Sequence, residues 1–110
     1  MIDLTTHLLD TTAGRPAQGV KLTLAVWQND HWHVIAEAES DRDGRVATGI
    51  FPTLEPGRYQ LSAAIGCWFK AQHIPSLYVN AQLDVELLES GHYHLPFLIT
   101  PNSWSTYRGS

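Results

Sequence analysis

Turn signals recur roughly every ten residues along this chain, a spacing that suits short strands far better than helices. They are Ala13-Gly14-Arg15-Pro16, Gln28-Asn29-Asp30, Asp41-Arg42-Asp43-Gly44, Glu55-Pro56-Gly57 and Ser90-Gly91. Gly, Pro, Asn and Asp supply the backbone angles that tight turns require. Between the turns, apolar and polar residues alternate. Val20, Leu22, Leu24 and Val26 fall on one face of a strand, as do Tyr59, Leu61 and Ala63, and then Leu83, Val85 and Leu87. Period-two alternation between regular turns predicts an all-β sandwich or barrel. One segment departs from it. Cys67-Trp68-Phe69-Lys70-Ala71-Gln72-His73 does not alternate and is stopped by Pro75, which predicts one short helix between strands. No linker, repeat or low-complexity stretch divides the chain, so residues 1–110 are expected to form a single domain.

The chain has 110 residues, 44% of them apolar, which is enough to build a core. Eleven carboxylates against seven Lys and Arg give a formal charge of −4. This balance speaks against nucleic acid, whose phosphates need clustered cations, and no basic amphipathic run suggests a membrane surface. Cys67 is the one cysteine, so no internal disulfide can form and packing must hold the fold. The N-terminal stretch MIDLTTHLLD lacks the basic region of a signal peptide. A cytoplasmic protein is expected, although a mature form already stripped of a leader would read the same.

Six histidines are present: His7, His31, His33, His73, His92 and His94. Two pairs have His-X-His spacing, which on a strand places both rings on one face, roughly 7 Å apart. A metal would need further ligands, and none clusters with either pair, so no metal is expected. The Asp41-Arg42-Asp43-Gly44 turn lacks the remaining acidic positions of a calcium loop. His31 and His33 flank Trp32 after a turn and read as solvent-facing polar positions; His73 reads as the cap of the short helix. His92 and His94 lie in His92-Tyr93-His94-Leu95-Pro96, entering an apolar strand from Leu95 to Ile99. By parity Tyr93, Leu95, Phe97 and Ile99 point into the core, and His92 and His94 point out of the sandwich. A solvated face and a surface site built from His and Arg both remain open from pattern alone.

Three stretches together resemble one family. Leu4-Thr5-Thr6-His7-Leu8-Leu9-Asp10-Thr11-Thr12-Ala13-Gly14-Arg15-Pro16-Ala17 looks like the opening of the transthyretin-related 5-hydroxyisourate hydrolases. Asp41-Arg42-Asp43-Gly44-Arg45 is similar to their second block. His92-Tyr93-His94-Leu95-Pro96, followed by the final Ser105-Thr106-Tyr107-Arg108-Gly109-Ser110, is similar to their third. The terminal Tyr-Arg-Gly-Ser is the most specific part, because hormone carriers of the same fold lack it.

The resemblance implies a transthyretin-like two-sheet β-sandwich and a homotetramer, a dimer of dimers, with the site in the channel between dimers. It implies hydrolysis of 5-hydroxyisourate, a cyclic amide, in urate breakdown towards allantoin, with no cofactor. Residue by residue, His7, Arg45 and His94 match the catalytic positions, and Tyr107, Arg108 and Ser110 match the terminal motif that closes the substrate pocket. His92 either supports the neighbouring ring or lines the channel. Either His7 or His94 would serve as the base. The chain departs from the family pattern at Leu77-Tyr78-Val79 and at Pro101-Asn102-Ser103-Trp104, away from the three catalytic positions. A small-ligand carrier on the same sandwich is the alternative function.

Overall fold

The computed structural model describes residues 1–110. Ten strands and one helix follow one another: β1 (Ile2–Asp10), β2 (Arg15–Pro16), β3 (Lys21–Gln28), β4 (His31–Glu39), β5 (Arg45–Val46), β6 (Gly57–Ala63), α1 (Ile65–Lys70), β7 (Ala81–Leu87), β8 (Gly91–His94), β9 (Phe97–Thr100) and β10 (Ser103–Thr106). They form two sheets. One runs β4-β3-β6-β7, and the other runs β10-β9-β1-β2, with β5 and β8 also paired to β1. The all-β class and the short helix match the sequence expectation.

The core lies between the sheets and follows the alternation. Val20, Leu22, Leu24 and Val26 are buried, as are Tyr59, Leu61 and Ala63 on the adjacent strand. Tyr93, Leu95, Phe97 and Ile99 all turn inward, in keeping with their parity. On β1, Ile2, Leu4, Thr6, Leu8 and Asp10 are buried. The odd residues Asp3, Thr5 and His7 therefore share the outer face. Each large apolar side chain taken fully out of water contributes about 1.5–3 kcal/mol, and Leu8, Leu22, Leu24, Leu61, Phe97 and Ile99 are among those removed completely.

Strand β1 is central because it pairs with four other segments. On one edge it runs parallel to β8 and then to β9. On the other it runs antiparallel to β5 and then to β2. The apolar strand expected over Leu95 to Ile99 instead begins at Phe97, and Leu95 and Pro96 lie between β8 and β9. Pro96 has no N–H to give to a ladder. The gap is bridged by the Leu95 N–H, which donates to the Thr5 carbonyl at 3.0 Å, and by the buried Thr6 hydroxyl, which donates to the Leu95 carbonyl at 2.6 Å.

The helix begins two residues before the expected Cys67 and ends at Lys70. Ile65 and Phe69, four residues apart and both buried, anchor it to the core. Gly66 lets the helix approach the following loop, since a Cβ there would lie 2.9 Å from the Tyr78 carbonyl oxygen. His73 lies beyond the helix, at φ 62°, and its N–H donates back to the Lys70 carbonyl at 2.9 Å. Asn29 and Asp30 both adopt positive φ, at 52° and 63°, and make the two-residue turn of the β3–β4 hairpin. No helix is long and apolar enough to cross a membrane.

Candidate active site

Three strands deliver the side chains of one outward cleft. Strand β1 carries Thr5 and His7, β5 carries Arg45, and β8 carries His92 and His94. Their registers fix the neighbours: His7 stands opposite Arg45, Thr5 beside His94, and Asp3 beside His92. The cleft, of about 280 Å³, is lined by Thr5, Arg45, Thr48, His92, His94 and Ser110 among others.

Arg45 owes its position to the turn before it. One carboxylate oxygen of Asp41 accepts hydrogen bonds from the backbone N–H groups of Asp43 and Arg45, both at 2.9 Å. Gly44 then takes φ 76°, in the left-handed region that glycine enters at least cost. Its carbonyl accepts a hydrogen bond from the Leu8 N–H at 2.6 Å, which ties the turn to β1 one residue beyond His7.

His94 is held from both sides. Its Nδ1 lies 2.8 Å from the Thr5 hydroxyl, and the same hydroxyl lies 2.8 Å from Nε2 of His92. The two rings are 6.3 Å apart between centroids, close to the spacing expected of a strand. From the chain end, the Gly109 N–H donates to the His94 carbonyl at 2.7 Å. Gly109 rests against the ring so closely that an added Cβ would come within 2.6 Å of Cδ2 of His94. A side chain there would force the ring or the chain end to move.

The electrostatics keep both candidate bases neutral. The His94 pKa is lowered, first by burial and then by the positive field of Arg45, with His7 and His92 adding to it. The His7 pKa is lowered by burial and by Arg45, while the Asp43 backbone and the carboxylates of Asp41 and Asp43 act the opposite way. A neutral imidazole retains a lone pair for a proton. His7 also has a buried Nε2 with no hydrogen-bond partner, an arrangement that folded proteins rarely leave without a use.

The residues of the terminal motif separate. Ser110 reaches the cleft. Arg108 turns to the other side of β8, where its guanidinium lies 4.3 Å from the centre of the Tyr93 ring and borders a different hollow with Leu88 and Glu89. Tyr107 is 55% exposed. Trp104, in the divergent Pro101–Trp104 stretch, packs against the core. It faces inward, against Phe97, with ring centroids 6.1 Å apart.

The other histidines stand apart from the cleft. His31 and His33 are exposed on β4, and a ring nitrogen of His33 sits 3.1 Å from the Gln28 carbonyl oxygen. Cys67 is exposed and lines a larger hollow of about 690 Å³ beside α1, with Lys70, His73 and Tyr78, remote from the paired histidines in the fold. Sequence reasoning had passed over Thr5. The signal for it was present, because Thr5 shares the odd face of β1 with His7.

Comparison with known proteins places the chain in a family. Residues 4–109 match the model of the HIUase/Transthyretin family. A curated 5-hydroxyisourate hydrolase of Ralstonia nicotianae is 39% identical, with 97% of each chain covered. The solved structure of Klebsiella pneumoniae 5-hydroxyisourate hydrolase is 42% identical and superposes with a TM-score of 0.90 over the whole of both chains. Sea bream transthyretin in complex with thyroxine shares the fold at a TM-score of 0.91 and 23% identity, covering 96% of this chain and 93% of its own. With two packed sheets, one short helix and a family match over nearly its whole length, this chain belongs to the HIUase/Transthyretin family.

Proposed function

We propose that this chain is a hydrolase that opens the ring of 5-hydroxyisourate by direct attack of water, in a step of urate breakdown. The observation that carries this reading is the meeting of Arg45 with two imidazoles held neutral, His94 in an outward cleft and His7 beside Arg45 behind it. The names of its full-length relatives supply the substrate.

His94 lines the cleft and His7 does not, so His94 is assigned as the base. Its Nδ1 is occupied by Thr5, which leaves Nε2 to take a proton from water. The water oxygen forms a bond to the ring carbonyl carbon, and the carbonyl oxygen becomes an oxyanion. Arg45 stabilises that charge; one well-placed donor is worth on the order of 3 kcal/mol in such a step. The C–N bond then breaks, and the departing nitrogen takes a proton from the His94 imidazolium. His7 stands beside Arg45 on the neighbouring strand and backs the cleft rather than lining it. Ser110 lines the same cleft and is assigned to border the substrate ring. Tyr107, exposed in the single chain, and Arg108, stacked on Tyr93, are assigned to closing the pocket in a homotetramer built as a dimer of dimers. No metal or cofactor enters this scheme.

The test is to mix purified chain with freshly prepared 5-hydroxyisourate and follow its ultraviolet absorbance. Decay well above the spontaneous rate, unchanged by a chelator, supports the reading. Decay at the buffer rate, or activity that a chelator removes and zinc restores, sinks it.

A further inference from the structure

The Thr5 hydroxyl stands 2.8 Å from two ring nitrogens, Nδ1 of His94 and Nε2 of His92. Thr5 is only 7% exposed, at the wall of the cleft. A threonine hydroxyl has one proton and can also accept. The hydroxyl can give that proton to only one of the two nitrogens, so at least one ring must carry a proton on the nitrogen that faces Thr5. The bridge therefore has a direction, and reversing it moves a proton from one ring to the other.

We propose that Thr5 is a proton relay that joins His94 to His92, with the resting bridge running from His94 Nδ1–H to the Thr5 oxygen and from the Thr5 O–H to His92 Nε2. This assignment deepens the hydrolytic reading above and rests on it for the role of the moving proton. In the resting direction, Nε2 of His94 is bare and faces its task as a base. The opposite direction would place the single proton of neutral His94 on Nε2 and block it.

The proton balance is simple. Nε2 of His94 takes a proton from water, and the ring becomes an imidazolium. Its Nδ1 proton passes to the Thr5 oxygen, while the Thr5 proton passes to Nε2 of His92. His94 is then neutral and protonated at Nε2, and His92 carries the charge. The reverse transfer recharges His94 when the departing ring nitrogen needs a proton.

The surroundings explain why such a shift helps. His94 lies near Arg45 of β5 and His7 of β1, and the chain end presents Gly109 and Ser110 to this region. An imidazolium there is repelled by a fixed cation. His92 is exposed, and its register partner on β1 is the carboxylate residue Asp3. A positive charge on His92 meets water instead, with the carboxylate of Asp3 on the neighbouring strand.

Nitrogen-15 NMR of the histidine rings in the unliganded wild-type chain tests the relay without reference to turnover. Both His92 and His94 should be found as the Nδ1–H tautomer near neutral pH. His94 found as the Nε2–H tautomer would overturn the proposal even if the protein proves an active hydrolase. An inactive wild-type protein would defeat the proposed reaction and leave this tautomer result to decide the bridge. Kinetics supply the second arm. Thr5→Val and His92→Gln should each lower kcat/KM on the order of 10- to 100-fold, Thr5→Ser should restore most of it, and the double variant should lose no more than either single one, because both cut the same chain. Fully multiplicative losses, or a folded Thr5→Val chain with wild-type turnover, would contradict the relay.

Discussion

Arg45 is the antiparallel register partner of His7, so the fixed cation and an imidazole stand side by side on the outer face of one sheet. This pairing depends on a two-residue strand, β5, that could not hold its place alone. The Gly44 carbonyl and the Asp41 carboxylate fasten it to β1 and to the preceding turn.

Gly44→Ala should therefore damage both fold and function. The new Cβ would run into the Leu8 carbonyl oxygen and lie 3.0 Å from the Pro16 Cβ, at a φ of 76° that alanine tolerates poorly. A loss of about 1–3 kcal/mol in a denaturant titration is expected, with a larger proportional fall in turnover because Arg45 moves. Unchanged stability and unchanged turnover would show that the turn does not set the site.

Acid should weaken the protein through the two depressed histidines. His7 and His94 have pKa values below the ordinary 6.5 in the folded chain, so the unfolded state binds more protons on the acid side. Stability then rises with pH across that window. The contribution is fully present above about 6.5 and is lost as pH falls through the lower folded values. His94→Asn should flatten this part of a stability-against-pH curve, and turnover of the wild type should hold on the acid side to below pH 6.5, the ordinary histidine value.

Gly109→Ala separates the site from the fold. An added methyl carbon would lie 2.6 Å from Cδ2 of His94 and 3.3 Å from its Cβ, so the ring or the chain end must shift. The terminal segment contributes little to a core held between two sheets, and the thermal midpoint should move by no more than about 4–8 °C. Turnover should fall by a much larger factor, since an ångström of misplacement at a base can cost about 100-fold. Full activity in this variant would mean that the contact between Gly109 and His94 does not position the ring.

Much of this was legible in the sequence, for physical reasons that differ from place to place. The alternation of Val20 to Val26 and of Tyr93 to Ile99 reported burial directly, because side chains on a strand change face at every residue. The same parity put His92 and His94 outside. The helix start was hidden because Ile65 and Gly66 carry no cap signal; Ala64 makes no side-chain capping bond, and burial of Ile65 and Phe69 holds the helix instead. The break at Pro96 lay in plain view as a proline inside an apolar run. The positions of Tyr107, Arg108 and Trp104 were not legible, because they depend on where the last segment crosses β8 and β9. The bridging role of Thr5 needed the parallel register of β1 with β8, which no local pattern encodes.

The most direct measurement compares the initial decay of 5-hydroxyisourate in three parallel samples: wild-type chain, His94→Asn chain and buffer. The asparagine preserves a polar side chain near Thr5 but cannot take up a proton at neutral pH. The wild type should far exceed buffer, while the folded variant should lose on the order of 100-fold or more of the catalysed rate. A variant as fast as the wild type would contradict the assignment of His94 as the base, and a wild type no faster than buffer would leave the chain a non-catalytic member of its family.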